Sequence, residues 1–253
     1  MLRIPAAGLG PRLTVDLSAL LRNWRALEQV SAGALFAAVV KADAYGTGIF
    51  ASSEALFGAG ARFFFTATVD EGMAVRAALP EAHIFILDGL YAGAAEIYAG
   101  ERLMPCLSSL GMFEEWLAFC VRRNEALAAA LHVDTGMNRL GFRLSEAELV
   151  ANRVRELNFS PQMVMSHLAC ADTPSHEKNR VQLTLFQSLL GRFPNIPASL
   201  ANSAGLMTGR DYHFQMVRPG VALYGGRAVS GRRNPMAPVV RLEAPLLEVK
   251  EAK

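Results

Sequence analysis

The sequence predicts an α/β chain folded as a (β/α)8 barrel of the TIM type, and three observations predict it. Eight short segments are apolar on both faces, which implies parallel strands covered by helices on either side. Nearly every one is followed by a helical pattern, giving eight units in about 220 residues. The rival, an open doubly wound sheet, would want a phosphate loop after its first strand, and Gly58-Ala59-Gly60 lacks the third glycine.

The elements follow in order. Leu17, Leu20, Leu21, Trp24 and Leu27 recur at three- and four-residue steps. This predicts a helix from Thr14 to Ser31, capped by Asp16 or Thr14. Leu35–Lys41 reads as the first barrel strand, then a turn-rich ADAYGTG, then a helix over Ile49–Gly60. Arg62–Thr68 is a strand, and Thr68 with Glu71 has capping-box spacing for a helix over Asp70–Leu79. His83–Leu87 and Arg102–Leu107 are strands, with helices near Tyr91–Ala99 and up to Asn124. Leu127–Val133 is strand-like but alanine-rich, and Ser145 with Glu148 repeats the capping-box spacing before a helix to Leu157. Gln162–His167 is a strand, and Pro174 suits the first turn of a helix to Arg192. Ile196–Ala201, a short helix over Asn202–Met207 and His213–Val217 complete the set.

Residues 1–226 are therefore expected to form the barrel and residues 227–238 a linker of solvated arginines. Residues 239–253 are expected to begin a truncated second, mainly β domain. The strand-like tail from Val239 has no evident partner, and an isolated strand does not stand alone.

Composition narrows the function. Of 253 residues 52% are hydrophobic and 19% charged, which excludes a disordered chain. Lys plus Arg number 25 against 23 Asp plus Glu, so no basic face points to nucleic acid. No apolar run approaches a membrane span, and MLRIPAAGLG has no secretory core. Cys106, Cys120 and Cys170 show no metal spacing, so reduced thiols in a cytoplasmic protein are expected.

Chemistry in a barrel gathers where strands end. Here the ends carry Lys41, Thr68, Leu87-Asp88, the Asp134–Arg139 turn, His167, Asn202-Ser203 and Arg218. Each alone has a plain structural explanation: a solvated lysine, a bonded histidine, an ordinary N-cap, a turn. Their convergence on one face is what structure alone does not require. A desolvated lysine beside cations can form a Schiff base. Ser203 at a helix start and the N–H groups after Gly220 can hold a phosphate. Arg218 can face an aromatic nitrogen. Together these describe a site for pyridoxal 5'-phosphate, with no metal.

The motifs AVVKADAYGTG (38–48), HVDTGMNRLGF (132–142), MSHLACAD (165–172), ANSAG (201–205) and VRPGVALYG (217–225) closely resemble alanine racemase. The resemblance runs in order from about Leu13 to the end of the chain. It implies a pyridoxal-phosphate barrel followed by a β domain in a head-to-tail homodimer that interconverts L- and D-alanine. It implies that Lys41 joins the cofactor and moves the α-proton on one face. Tyr45, Ser203, Gly220 and Val221 match phosphate-holding positions, Arg218 the partner of the ring nitrogen, and His167, Asn202 and Leu87 the cofactor lining. Arg139 matches a residue near the cofactor's phenolic oxygen and the substrate carboxylate.

The chain also departs from that pattern. Thr47 stands where the family usually has His. His132 stands where some members carry a modified lysine, so it either orients Arg139 differently, leaves room for an anion, or is a bonded core residue. The tyrosine that the family uses as second base lies in the β domain, and no tyrosine here stands in its motif. Three readings remain open: a racemase barrel expected to turn over alanine poorly alone, a non-enzymatic single-domain pyridoxal-phosphate protein, and a racemase for another amino acid.

Overall fold

A computed structural model describes residues 10–31, 33–157 and 159–251. The expectation that Met1–Gly10 lacks a secretory core falls almost wholly outside them. Ten short strands and a ribbon partner account for the sheets. They are β1 (Arg12–Val15), β2 (Leu35–Phe36), β3 (Ala38–Val39), β4 (Phe63–Thr66), β5 (His83–Ile86), β6 (Leu103–Leu107), β7 (Ala130–His132), β8 (Met163–Met165), β9 (Ala198–Ser199), β10 (Met216–Val217) and β11 (Val240–Glu243).

From β3 to β9 every neighbour is parallel and consecutive in sequence. Ala37 breaks one run into β2 and β3, and β10 pairs in parallel with β2. The ring closes through backbone bonds: Gln215 N–H to Ala198 O at 3.1 Å, Arg218 N–H to Ala201 O at 2.9 Å, and Ala37 N–H to Val217 O at 3.0 Å. The eight staves are those the apolar runs predict.

Alternation along the staves divides the core in two. Val39, Phe65, Phe85, Met104, Met163, Met165 and Met216 pack together inside the barrel. Phe64, Ile84, Ile86, Leu131 and Val164 face outward onto Trp24, Leu56, Trp116 and Phe186 of the helices. The interior is a packed core rather than a channel, and Phe65 stacks on Phe85 at 4.7 Å.

Several boundaries differ from expectation. The first helix is Leu17–Val30, because Thr14 belongs to β1 and Asp16 takes the cap, its Oδ1 accepting the Ala19 N–H at 2.9 Å. The helix after β5 begins only at Ala95. The helix after β7 starts at Ala147 without a side-chain cap; Glu146 accepts the Arg143 N–H at 2.8 Å, so the Ser145–Glu148 box does not form. Pro174 precedes its helix, Glu177–Leu190, and His176 supplies the cap through Nδ1 to the Lys178 N–H.

The tail strand has a partner after all. β11 pairs antiparallel with β1, Leu13 opposite Leu242, and Asp16 N–H donates to Val239 O at 2.8 Å. Upstream of β11 the strap over 227–238 is fastened to the barrel. Asn23 Nδ2 donates to Leu223 O at 3.0 Å and Ala237 O at 2.8 Å, and Asn23 Oδ1 accepts the Ala237 N–H at 2.8 Å. No helix of the described residues is long and apolar enough to cross a membrane.

Candidate active site

The C-terminal ends of the staves open into a cavity of about 570 Å³. Ten of the residues singled out from the sequence line it: Lys41 and Tyr45 after β3, Leu87 after β5, Arg139 after β7, His167 after β8, Asn202 and Ser203 after β9, and Arg218, Gly220 and Val221 after β10. Thr68 and Asp134, also named at strand ends, do not line it and shape the local backbone instead.

Lys41 opens an unusual element. Ala42, Asp43, Ala44 and Tyr45 all hold positive φ, between 52° and 56°, so Lys41–Gly46 is a left-handed helical turn. Such a conformation costs L-residues roughly 1–2 kcal/mol each, and the surroundings supply the restraint. Ala44 N–H donates to Val40 O at 2.8 Å. Asp43 N–H reaches Glu71 Oε1 at 3.3 Å, while Glu71 Oε2 accepts the Ala67 N–H at 2.8 Å. Thr68 Oγ1 caps the Glu71 N–H as expected, but the Glu71 carboxylate serves this turn rather than closing the box. Asp43 Oδ1 accepts the Ile49 N–H at 2.7 Å. Thr47 is buried, donating to Ala44 O at 2.6 Å and bonding Ser52 Oγ at 2.9 Å.

The turn delivers Tyr45 against the backbone of Gly220. A Cβ at Gly220 would lie 2.2 Å from Tyr45 Oη, so only glycine permits the approach. Tyr45 also stacks on Tyr224 at 4.8 Å, whose hydroxyl donates to Val39 O at 3.1 Å. Burial, then the nearby Arg139 guanidinium, pull the Lys41 pKa below its ordinary value; Asp88 and Glu71 oppose this, and Arg218 adds to it. A larger fraction of Lys41 is thus the free amine, the nucleophilic and basic form.

Arg218 is buried and has no carboxylate partner among the described residues. Its Nε donates to Ser199 Oγ at 2.8 Å, and its Nη2 to Ser166 O and to Leu200 O at 3.3 Å. Burial lowers its pKa to about 10, still a cation at neutral pH. Nη1 has no bond among the described residues and remains the donor available to the cavity. His132 and His167 are held neutral: burial first, then Arg218 and Arg139, push His132 to about 3 and His167 well below its ordinary value. His132 Nδ1 is buried with no hydrogen-bond partner among the described residues, which leaves this nitrogen open to a bound anion or water.

The cup at the other side is built on Ser203. Its hydroxyl accepts the N–H groups of Gly220 at 2.9 Å and Ala222 at 3.2 Å, leaving its proton free to donate. Asn202 caps the Gly205 N–H at 2.9 Å, which sets Ser203 at the start of the short helix Ser203–Thr208. Arg139 sits on a loop shaped by Asp134, whose Oδ1 accepts Gly136 N–H at 2.8 Å and Asn138 N–H at 3.1 Å. That loop returns to the barrel because a Cβ at Gly141 would stand 2.5 Å from Asp134 N. Among the described residues no cluster of three metal-ligating side chains occurs.

The sequence reading missed Ser166 and Ser199, which hold Arg218, and Asp172 and Arg227, which line the rim. Ser199 was detectable as a polar residue in an apolar strand; Arg227 was read as a solvated linker residue.

The chain matches the family described as alanine racemase, N-terminal domain, over residues 15–228. It is 48% identical over 240 residues to the alanine racemase of Rhizobium meliloti, covering 94% of this chain and 63% of that protein. It is 49% identical over 242 residues to the biosynthetic alanine racemase of Agrobacterium fabrum, covering 95% and 62%. The crystal structure of alanine racemase from Bartonella henselae with covalently bound pyridoxal phosphate is similar with a TM-score of 0.90 at 36% identity, covering 94% of this chain and 70% of that one. The chain thus spans less than two thirds of the length of these two curated relatives.

Proposed function

Because this chain belongs to the alanine racemase N-terminal domain family, we propose that it binds pyridoxal 5'-phosphate through Lys41 and serves the interconversion of L- and D-alanine. The observation that carries this reading is Arg218, a buried cation with one free donor facing a cavity that also holds a lysine of lowered pKa. The donor set fits the cofactor. The Lys41 amine suits its aldehyde, Arg218 Nη1 its ring nitrogen, and Ser203, Tyr45, Gly220 and Val221 its phosphate. Asn202, His167 and Leu87 wall the ring.

Once bound, the cofactor supplies an electron sink that acidifies the α-hydrogen of an amino acid joined to it. The chain's own residues do the rest. Arg218 keeps its proton, so it donates a hydrogen bond without protonating the ring nitrogen, which restrains side reactions of the sink. Arg139 holds the substrate carboxylate and raises the share of Lys41 present as free amine. Lys41 Nζ exchanges the α-proton on its face. His167, neutral at working pH, packs the cofactor without adding charge.

Tyr45 is the one tyrosine among the described lining residues, and it belongs to the phosphate cup. The 253-residue chain is expected to take up the cofactor through that cup. Homodimer formation, a cytoplasmic location and supply of D-alanine to the cell wall belong to the same proposal. The family supports all three, and three free thiols fit the location.

Borohydride reduction of the loaded chain followed by peptide mapping tests the assignment. Label on Lys41 is the expected result, and label on another lysine overturns it. Turnover of alanine but not serine or lysine supports the substrate; cofactor uptake with no racemisation of any amino acid would favour a pyridoxal-phosphate carrier.

A further inference from the structure

The phosphate cup as described offers only neutral donors: the Ser203 hydroxyl, the Tyr45 hydroxyl and backbone N–H groups. A phosphate monoester carries nearly two negative charges at neutral pH. Arg227 stands where a counter-charge would act. It lines the same cavity as Ser203, Gly220 and Val221, and its side chain is exposed.

Its position is fixed by backbone on both sides. Gly226 N–H donates to Val221 O at 2.9 Å, and a Cβ on Gly226 would lie 2.4 Å from Val221 Cγ2, so Arg227 emerges directly beside the cup. Gly225 takes a positive φ of 82° against Ala237 O, and its own carbonyl accepts from Asn234 Nδ2 at 2.8 Å. Downstream, Ala228 and Val229 are buried and Ser230 N–H donates to Asp172 O at 2.8 Å. The Asp172 carboxylate, which lines the same cavity, is bonded by Ser230 Oγ at 3.4 Å. No acidic side chain among the described residues pairs with Arg227.

We propose that Arg227 is a further phosphate-binding residue of this cavity, closing over the cofactor's phosphate from the strap and supplying the full positive charge that the cup lacks. This rests on the cofactor reading above. A guanidinium suits the task because its planar fork can meet two phosphate oxygens at once.

Absorbance titration of the 253-residue chain with pyridoxal phosphate and, in parallel, with pyridoxal tests it. Arg227→Ala should raise the Kd for pyridoxal phosphate about tenfold, the range for a hydrogen bond to a charged group. It should leave the Kd for pyridoxal nearly unchanged and flatten the salt dependence of pyridoxal-phosphate binding. Arg227→Lys should recover part of the loss, and inorganic phosphate should compete less well in Arg227→Ala than in the parent chain. Arg232→Ala, which removes a neighbouring charge outside the cavity, should change little. Equal losses for both ligands, an unchanged Kd for pyridoxal phosphate, or an equal loss in Arg232→Ala would each overturn the inference while leaving the cofactor reading intact. If the parent chain bound neither ligand, both would fall. Circular dichroism of each variant separates lost binding from lost fold.

Discussion

Lys41, Arg139 and Arg218 place three potential cations around one cavity, and two histidines answer by staying neutral. The consequence is a pH dependence of folding. His132 titrates near 6.5 when unfolded and at about 3 when folded, and the folded value of His167 is also depressed. Below pH 6.5 the unfolded chain therefore binds more protons than the folded one. Their contribution is complete above that pH and is lost as pH falls, by up to about 1.4 kcal/mol per pH unit for each histidine. Urea midpoints should drop between pH 7.5 and 5, and His132→Gln should flatten the slope; an unchanged slope would show that folding does not alter the proton affinity of His132. Arg218 invites a second test. In Arg218→Lys a point charge replaces a fork that serves Ser199 Oγ and two or more carbonyls. Each acceptor left alone costs about 1–3 kcal/mol, so this conservative change should lower the urea midpoint clearly, whereas exposed Arg25→Lys should not.

The left-handed turn that carries Lys41 and Tyr45 is the element on which the site depends. Its four strained residues are held by Glu71 and Thr47, which bond the Asp43 N–H and the Ala44 carbonyl, and by Asp43 itself, which accepts the Ile49 N–H. Glu71→Ala should loosen the turn and weaken cofactor binding by several-fold, and Glu71→Gln, which keeps an acceptor, should recover part of it; identical titration curves for all three proteins would contradict this. Thr47→Val should cost about 1–2 kcal/mol in a denaturant titration, since the Ala44 carbonyl then loses a buried donor. The sequence did not reveal this turn. Alanine and tyrosine carry no preference for positive φ, and the restraints come from residues up to 28 positions away. The eight staves were readable because burial on both faces forces unbroken apolar runs. The site residues were readable because barrel geometry puts chemistry at strand ends, so Lys41, His167 and Arg218 followed from counting. β1 was not: Arg12–Val15 has no buried face to mark it and runs straight into the first helix. The Ser145–Glu148 box misled because spacing alone leaves the start of the helix undecided, and the helix begins at Ala147 with no side-chain cap.

For the whole molecule the decisive joint is Asn23. One buried side chain on the first helix makes three hydrogen bonds to segments 200 and 214 residues further on. Asn23→Ala would strand two carbonyls and one N–H, a loss of about 2–4 kcal/mol that a thermal melt would register; a melt within a degree of the parent would refute the clamp. Chain order makes β1 and β11 interdependent in another way. Arg12 and Glu243 face one another across the β1–β11 ribbon, 231 residues apart. On a ribosome adding about 5–20 residues each second, β1 emerges more than 200 residues ahead of its partner. The barrel waits almost as long, since β2 cannot meet β10 until residue 217 has left the tunnel. During those seconds β1 and the edge of β2 are open strand edges, the surfaces most prone to wrong pairing. A nascent chain paused before residue 217 is therefore the species most in need of a chaperone.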